Sequence, residues 1–222
     1  MKKLISGLTI ASLVAMSGPA MADEAELDQN IFVFSANGPG EGKGAIGMGG
    51  QFIIIIPTFD INYLRGFTDD LDLTFNMSTL GIISIADLGA RYRLFGSTDS
   101  GFAVGVKGAV TVLPIFIAAG GSAAGAIGFA ATPGITVSFG GKRTQFSLVA
   151  DFPLWLAGAV GGASGGVSDG GTTSGFEPSM RPGLVIEFPV GDTTNMYVKA
   201  SGIIPLSAGT FFGPLIGVGA VW

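Results

Sequence analysis

Leu71-Asp72-Leu73-Thr74-Phe75-Asn76-Met77-Ser78 is the stretch that decides the fold, because apolar and polar residues alternate through all of it. Successive side chains of a β-strand point to opposite faces, so a period of two predicts a strand with one dry face and one wet face. The same alternation recurs along 86–94, 144–156, 180–188 and 195–202. The chain is therefore predicted to be all-β, with strands that share an apolar surface.

The amino terminus has the pattern of a secretory signal peptide. Lys2 and Lys3 form a positive start, an apolar run continues to Met16, and Ala20 and Ala22 frame a small-residue cleavage motif before Asp23. A membrane anchor is the alternative, but the apolar run is short and acidic residues follow it at once. We expect cleavage after Ala22, which leaves residues 23–222 as one domain.

Composition indicates that the apolar surface faces lipid rather than water. Charged residues are 12% of the chain and mean hydropathy is +0.59, whereas about 25% charge is usual for soluble domains. Strands satisfy their backbone groups in lipid only when the sheet closes into a barrel. The formal net charge of −5 and the lack of a basic patch argue against a nucleic-acid partner. Together these features predict an antiparallel up-and-down β-barrel in the outer membrane of a Gram-negative bacterium.

The spacing of turn residues predicts about ten strands, with eight or twelve left open. We place them near 30–36, 46–67, 71–79, 83–95, 102–113, 126–139, 144–156, 178–190, 195–206 and 211–222. Short polar connections fall at 68–70, 96–101, 140–144 and 191–194, and more variable ones at 36–44, 79–82, 114–125, 157–177 and 207–210. Short turns on one rim and longer loops on the other are typical of outer-membrane barrels. An alternative for the apolar connection is that 108–119 forms one long strand that protrudes beyond the membrane.

A helical inner-membrane protein is the main alternative fold. The runs 108–141 and 200–222 carry no charge and exceed the roughly 20 residues that a spanning helix needs. Both runs are, however, interrupted by prolines and by many glycines, which disfavour helix interiors. Nearby charges such as Arg91 and Asp151 would also be costly inside a helical span, so the barrel is favoured.

Alternation collects ten charged residues on the lumen side of the predicted barrel. They are Asp60, Asp72, Asp87, Arg91, Arg93, Lys107, Asp151, Arg181, Glu187 and Lys199. Five are acidic and five are basic, as expected if buried charges pair with one another. Two interpretations stay open: the charges fill and stiffen a narrow barrel, or they line a small hydrated pore with weak ion selectivity.

Catalysis is not expected. The chain contains no histidine and no cysteine, which excludes a Ser-His-Asp arrangement and a zinc site built from His or Cys ligands. Asp69 and Asp70 are adjacent carboxylates in a predicted turn, where they serve as turn formers. The glycine cluster at 161–171 lacks the Lys-Ser/Thr that would complete a phosphate loop. We expect no cofactor and no metal.

The carboxyl terminus resembles the assembly signature of outer-membrane proteins, an aromatic last residue preceded by apolar residues at every second position. The residues that carry it are Phe212, Ile216, Val218, Ala220 and Trp222. The resemblance implies partners: periplasmic chaperones, the barrel assembly machinery, and a destination among outer-membrane lipid and lipopolysaccharide.

A second resemblance spans about thirty residues. The stretch 66–73 (GFTDDLDL) followed by 89–94 (GARYRL) is similar to a turn-and-strand pattern in several outer-membrane barrel families. These are transporter-like proteins grouped with the MetA-pathway phenol-degradation family and the small OmpA- and OmpW-like barrels. The resemblance implies a barrel and identifies no substrate.

The leading functional hypothesis is a passive, porin-like channel for small solutes, including apolar ones. The alternative is a non-conducting structural or surface-interaction barrel.

Overall fold

The computed structural model describes residues 32–53, 56–79, 84–97, 100–119, 122–141, 144–163, 178–190, 194–206 and 212–222. These contain eleven strand segments: β1 Gly44–Ile53, β2 Ile56–Gly66, β3 Leu71–Thr79, β4 Ser84–Ser97, β5 Phe102–Ala119, β6 Ser122–Gly140, β7 Gln145–Asp151, β8 Leu154–Ala163, β9 Ser179–Pro189, β10 Asn195–Pro205 and β11 Phe212–Val221. Within these ranges there is no helix long and apolar enough to cross a membrane.

The strands form one closed antiparallel barrel. Strands β1 to β7 pair in sequence, β7 pairs with β9, and β9 to β11 pair in sequence. β1 closes the sheet by pairing with β11, from Gly47 opposite Val221 to Ile53 opposite Leu215. Segments β7 and β8 both pair with β6, so they form two parts of one barrel position. The barrel therefore has ten strand positions. The predicted all-β class, barrel closure and count of ten are confirmed.

The predicted single strand at 144–156 is divided at Phe152 and Pro153. Phe152 still donates its N–H to the Pro133 carbonyl at 2.8 Å. Pro153 has no N–H to donate, so the ladder is interrupted there. The chain then continues as β8, which extends the same barrel position to Ala163. Part of the connection predicted at 157–177 is therefore strand.

Two predicted strand boundaries near the amino terminus are wrong. The predicted strand 46–67 is a hairpin of β1 and β2, with Ile53 paired to Ile56. The apolar run through this point conceals the turn. Of the predicted strand at 30–36, the described residues 32–36 are not paired in the sheet; residues 33–36 have bend geometry, and the segment lies inside the barrel. The segment 36–44 therefore leads from the interior of the barrel to β1. It does not join two strands, as the predicted loop would.

Two strands are much longer than a membrane crossing requires. β5 has 18 residues and β6 has 19, and they pair along their whole length to Ala119 opposite Ser122. At about 3.3 Å per residue, each extends for roughly 60 Å, whereas 9–11 residues suffice to cross a bilayer. The region predicted as a connection at 114–125 is therefore mostly paired strand, and the alternative of one long strand through 108–119 is confirmed.

The two rims of the barrel differ in what they carry. One rim, here called the terminal rim, holds the start of β1, the end of β11 and the short turn at 67–70, where Phe67 donates its N–H to the Leu71 carbonyl at 2.7 Å. The opposite rim is the distal rim. Large apolar side chains cover the exterior between them: Leu73, Leu88, Tyr92, Phe146, Leu148, Leu184, Val198 and Ile216 are all exposed. In the alternating strands, the apolar residues thus face the exterior of the barrel and the polar residues face the lumen.

Candidate functional site in the barrel lumen

A segment of the chain itself occupies the lumen next to the terminal rim. Residues 32–37, here called the lumen plug, are buried between the barrel walls; Phe32 and Ser35 are 0% exposed. The chain enters from the terminal rim through a glycine-rich turn. Gly40 (φ 87°) and Gly42 (φ 73°) adopt left-handed backbone geometry, which glycine tolerates without a steric penalty.

Polar groups of the barrel wall satisfy the backbone of the plug, as burial requires. Glu187 accepts the N–H of Val33 at 2.8 Å, and Ser138 Oγ accepts the N–H of Ala36 at 2.7 Å. Arg91 donates from Nη1 to the Val33 carbonyl at 3.2 Å. These anchors come from three different strands, so the plug is held across the lumen rather than against one wall.

Side chains of the plug add further contacts. Ser35 donates its hydroxyl to Gln145 Oε1 at 3.1 Å. The Phe34 ring packs edge-on against Tyr197, with 5.0 Å between centroids, and the Lys199 ammonium lies 5.4 Å from the Phe34 centroid. The plug therefore combines hydrogen bonding with aromatic packing.

Glycines on the inner face make room for Tyr197 instead of leaving an open passage. Gly49 and Gly219 are cross-strand partners, and Gly219 also pairs with Tyr197. A Cβ added to either glycine would collide with Tyr197. The space that these two glycines leave on the inner face is therefore filled by the Tyr197 side chain.

Sheet register brings five of the predicted lumen charges into one row. Asp72 pairs with Arg91, Arg91 with Lys107, Lys107 with Gly134, Gly134 with Asp151, and Asp151 with Arg181. The row crosses six neighbouring strand positions, with Gly134 in place of a charge on β6. This arrangement follows from the period-two pattern. Residues that pair across neighbouring strands face the same side of the sheet, and here that side is the lumen.

Three ion pairs connect the lumen charges. Arg91 binds Asp72 at 3.0 Å, and Lys107 reaches past Gly134 to Asp151 at 2.6 Å. Arg181 binds both oxygens of Asp87 at 3.2 Å. Strands β9 and β4 are four positions apart in the barrel, so this last pair spans the lumen. A wide unobstructed pore is incompatible with such a contact.

The remaining predicted charges occupy different environments. Asp60 accepts a hydrogen bond from the Gln51 amide, Glu187 anchors the plug, and Lys199 contacts the Phe34 ring. Arg93 lies at the terminal rim, where it pairs with Asp70 at 2.7 Å. The structure thus places nine of the ten in the lumen and brings Arg93 to its edge.

A cavity of about 180 Å³ lies between the plug and the distal rim. The plug forms its floor through Val33 and Phe34, and charged residues form a belt around it: Asp60, Asp87, Arg91, Lys107, Asp151, Arg181 and Lys199. Apolar residues near the distal rim, such as Ile203 and Leu215, complete the lining. The cavity is large enough for a small organic molecule or several waters.

The uncharged polar residues of this site were not among the predicted site residues. Gln145, Ser138 and Ser147 hold the plug or one another, and Thr111 bonds both Asp87 and Thr132. Each of them falls on the lumen-facing set of a strand whose apolar and polar residues alternate, and this signal could have identified them. No group of three or more potential metal ligands occurs among the residues described.

Some of the other predicted site residues lie outside the part of the chain that the structure describes. The cleavage residues Ala20, Ala22 and Asp23, and the side chain of Phe212, are not among the described positions. Of the carboxyl-terminal signature, Ile216 and Val218 are exposed on the barrel exterior, Ala220 pairs with Met48, and Trp222 exchanges both backbone hydrogen bonds with Ile46. Its role in assembly stays a prediction.

The chain matches no protein-family model and no curated protein at a significant level. Solved structures with a similar overall fold are outer-membrane barrels. The amino-terminal barrel domain of Pseudomonas aeruginosa OprF has 12% identity over 82% of this chain and 99% of that chain, with a TM-score of 0.39. The Escherichia coli outer-membrane protease OmpT has 6% identity over 81% and 91%, with 0.49. The KdgM porin has 8% identity over 80% and 98%, with 0.40. These similarities are too low to transfer a function.

Proposed function

We propose that this protein is a passive outer-membrane channel for small solutes whose closed state is the plugged barrel. The observation that carries the proposal is the lumen plug, residues 32–37, held inside the barrel by Glu187, Ser138 and Arg91. A polar lumen with a charged cavity on one side of a removable segment has the parts of a gated pore. The proposal includes no catalytic activity.

The location in the outer membrane is supported by the exterior of the barrel. Large apolar side chains cover the outer face of its strands, and in water such a surface would be unfavourable at about 25 cal/mol per Å². The signal-peptide pattern at residues 1–22 and the carboxyl-terminal signature agree with export and insertion by the barrel assembly machinery.

The energy that holds the plug is compatible with reversible opening. Each hydrogen bond contributes about 0.5–1.5 kcal/mol net, and the wall supplies four through Glu187, Ser138, Gln145 and Arg91. These bonds sum to a few kcal/mol, and the burial of Phe32 and Val33 adds about 1.5–3 kcal/mol for each side chain, so the open state is rare. The glycine-rich turn at Gly40 and Gly42 supplies the hinge.

Planar-bilayer recording tests the proposal. The mature protein is expected to conduct rarely, and a variant lacking 23–37 is expected to show at least a tenfold higher mean conductance. A variant lacking only 23–30 keeps the plug and serves as the matched control, with conductance close to the mature protein. Circular dichroism and resistance to detergent unfolding establish that each barrel is folded. A folded plug-deleted barrel that does not conduct would overturn the proposal.

A non-conducting structural barrel is the second candidate, and the Arg181–Asp87 pair across the lumen favours it. In that case the plug and the ion pairs only stabilise the fold. Deleting the plug would then lower stability without opening a pore, and breaking the ion pair by Arg181→Met alone would do the same.

A further inference from the structure

The cavity above the plug presents more accessible positive charge than negative charge. Arg181 has 18% of its side chain exposed, whereas its partner Asp87 has 9%. Asp60 is 2% exposed and is bonded by Gln51. Asp60 and Asp87 are therefore less accessible from the cavity than Arg181. The paired Lys107 and Asp151 are about equally exposed and cancel each other.

Lys199 is the cation with the most unused capacity. In the part of the chain that the structure describes, no carboxylate pairs with its ammonium, and its contact is the face of the Phe34 ring at 5.4 Å. Asp60 and Asp151 attract this ammonium from beyond ion-pair distance. An ammonium carries three donors, and with no carboxylate in direct contact it can bind an incoming anion. An anion in the cavity would complete this site.

Apart from the charged residues, the lining combines apolar side chains with uncharged polar ones such as Asn62, Asn76 and Ser201. Phe34 and Val33 form the floor, and Val185, Ile203 and Leu215 form part of the wall. Removing an apolar body from water against these side chains contributes roughly 0.8 kcal/mol per CH₂ group. A ligand that offers both an anionic group and a short apolar body therefore fits the cavity better than chloride or an alcohol.

We propose that the cavity binds a small monocarboxylate with an apolar body, with its carboxylate on Lys199 and its hydrocarbon against Phe34 and the apolar wall. Arg181 supports the same charge from across the cavity. The inference rests on the proposed function in treating the cavity as part of the solute pathway. Binding itself needs only the closed barrel.

Calorimetric titration of hexanoate into the mature protein in lipid nanodiscs tests this site. We expect saturable binding, weakened at least tenfold by Lys199→Gln and by less than threefold by Lys199→Arg, which keeps the charge. Lys43→Gln removes an exposed lysine outside the lumen and is the matched control, with unchanged affinity. Because every variant is in the same nanodisc, partitioning of hexanoate into lipid cancels between them.

Two further probes separate the charge from the apolar body. Acetate is expected to bind at least tenfold more weakly than hexanoate, and hexan-1-ol is expected to show no saturable binding. Equal binding of hexanoate by Lys199→Gln and the mature protein would overturn the inference. Hexan-1-ol binding as tight as that of hexanoate would also overturn it, since the site would then be an apolar pocket only.

Ion selectivity distinguishes failure of this inference from failure of the proposed channel. In a tenfold KCl gradient, Lys199→Gln in the plug-deleted barrel is expected to shift the reversal potential toward potassium selectivity. Conduction without hexanoate binding to the closed barrel, and with a reversal potential that Lys199→Gln leaves unchanged, would overturn the anion site and leave the channel in place. Hexanoate binding without conduction in any variant would overturn the channel and leave the binding site in place.

Discussion

The two halves of the lumen are built from the same kinds of side chain and yet differ in outcome. Next to the terminal rim, polar groups such as Glu187 and Ser138 are used by the backbone of the plug, and the space is filled. Toward the distal rim, charged groups pair with one another and leave a cavity. The difference shows that inward polarity alone does not make a passage. The outcome depends on whether the chain supplies a segment to occupy it.

Removing Arg91 is expected to have the largest effect on the packed half. Arg91→Met leaves Asp72 buried without its partner and removes the donor to the Val33 carbonyl. Breaking a buried ion pair in this way costs about 3–5 kcal/mol. Urea unfolding of the purified protein in micelles, followed by tryptophan fluorescence, measures the change in the free energy of unfolding.

The matched control for this ion pair replaces both partners. Arg91→Met combined with Asp72→Leu removes the isolated charge, so we expect most of the lost stability to return. A single Arg91→Met variant as stable as the mature protein would mean that the packed half does not depend on this pair.

Filling a glycine position sharpens the comparison by showing how tightly the terminal half is packed. Gly219→Ala would drive a methyl group into the Tyr197 ring, and overpacking of this kind costs about 1–3 kcal/mol. Gly108→Ala is the control, because no atom lies within 4 Å of its added Cβ. The same unfolding experiment compares the two variants. Equal stability of both would contradict tight packing around Tyr197.

Glu187→Gln is expected to loosen the plug with a smaller loss of stability. The amide keeps the size of the side chain but loses the charge that strengthens its bonds to the Val33 and Phe34 N–H groups. Weakening these bonds costs about 1 kcal/mol. Single-channel recording should therefore show openings about five times more frequent than in the mature protein. Unchanged opening frequency would indicate that Glu187 does not hold the closed state.

The rim pair is expected to matter least. Arg93 binds Asp70, whose side chain is 50% exposed, and exposed ion pairs contribute about 0–1 kcal/mol. Arg93→Ala should shift the unfolding free energy within that range. Since Arg93 contacts the plug through a long hydrogen bond of 3.5 Å to Asn37 Oδ1, the variant should raise opening frequency by less than Glu187→Gln does. A loss of unfolding free energy as large as that of Arg91→Met would show that Arg93 belongs to the packed half of the lumen rather than to the rim.

Much of the barrel was predictable from alternation, because hydrocarbon outside and polar groups inside impose a period of two on each strand. The strands around Leu71–Thr79 and Asn195–Pro205 follow this pattern closely and were placed within a few residues. The row of charges from Asp72 to Arg181 followed from the same parity. Its pairings did not, since they depend on register and on side-chain reach across the lumen.

The plug was not predictable from the same pattern. Residues 32–36 are mostly apolar, and an apolar segment gives the same signal whether it faces lipid or the packed interior of a barrel. The hairpin at β1 and β2 was hidden for a similar reason, because the run from Phe52 to Ile56 contains no polar turn residue. The length of the predicted strand 46–67 was the available warning, since it is twice what a membrane crossing needs.

A disulfide between the plug and the wall tests the central claim most directly. The Cβ of Ala36 lies 3.5 Å from the position of a Cβ on Gly105, within the range that a disulfide requires, and the chain has no cysteine of its own. The variant Ala36→Cys with Gly105→Cys is therefore predicted to form an intramolecular disulfide in the folded barrel. It should lose all channel openings until it is reduced. Two free thiols that stay open to a water-soluble maleimide in the folded, oxidised protein would contradict the plugged barrel.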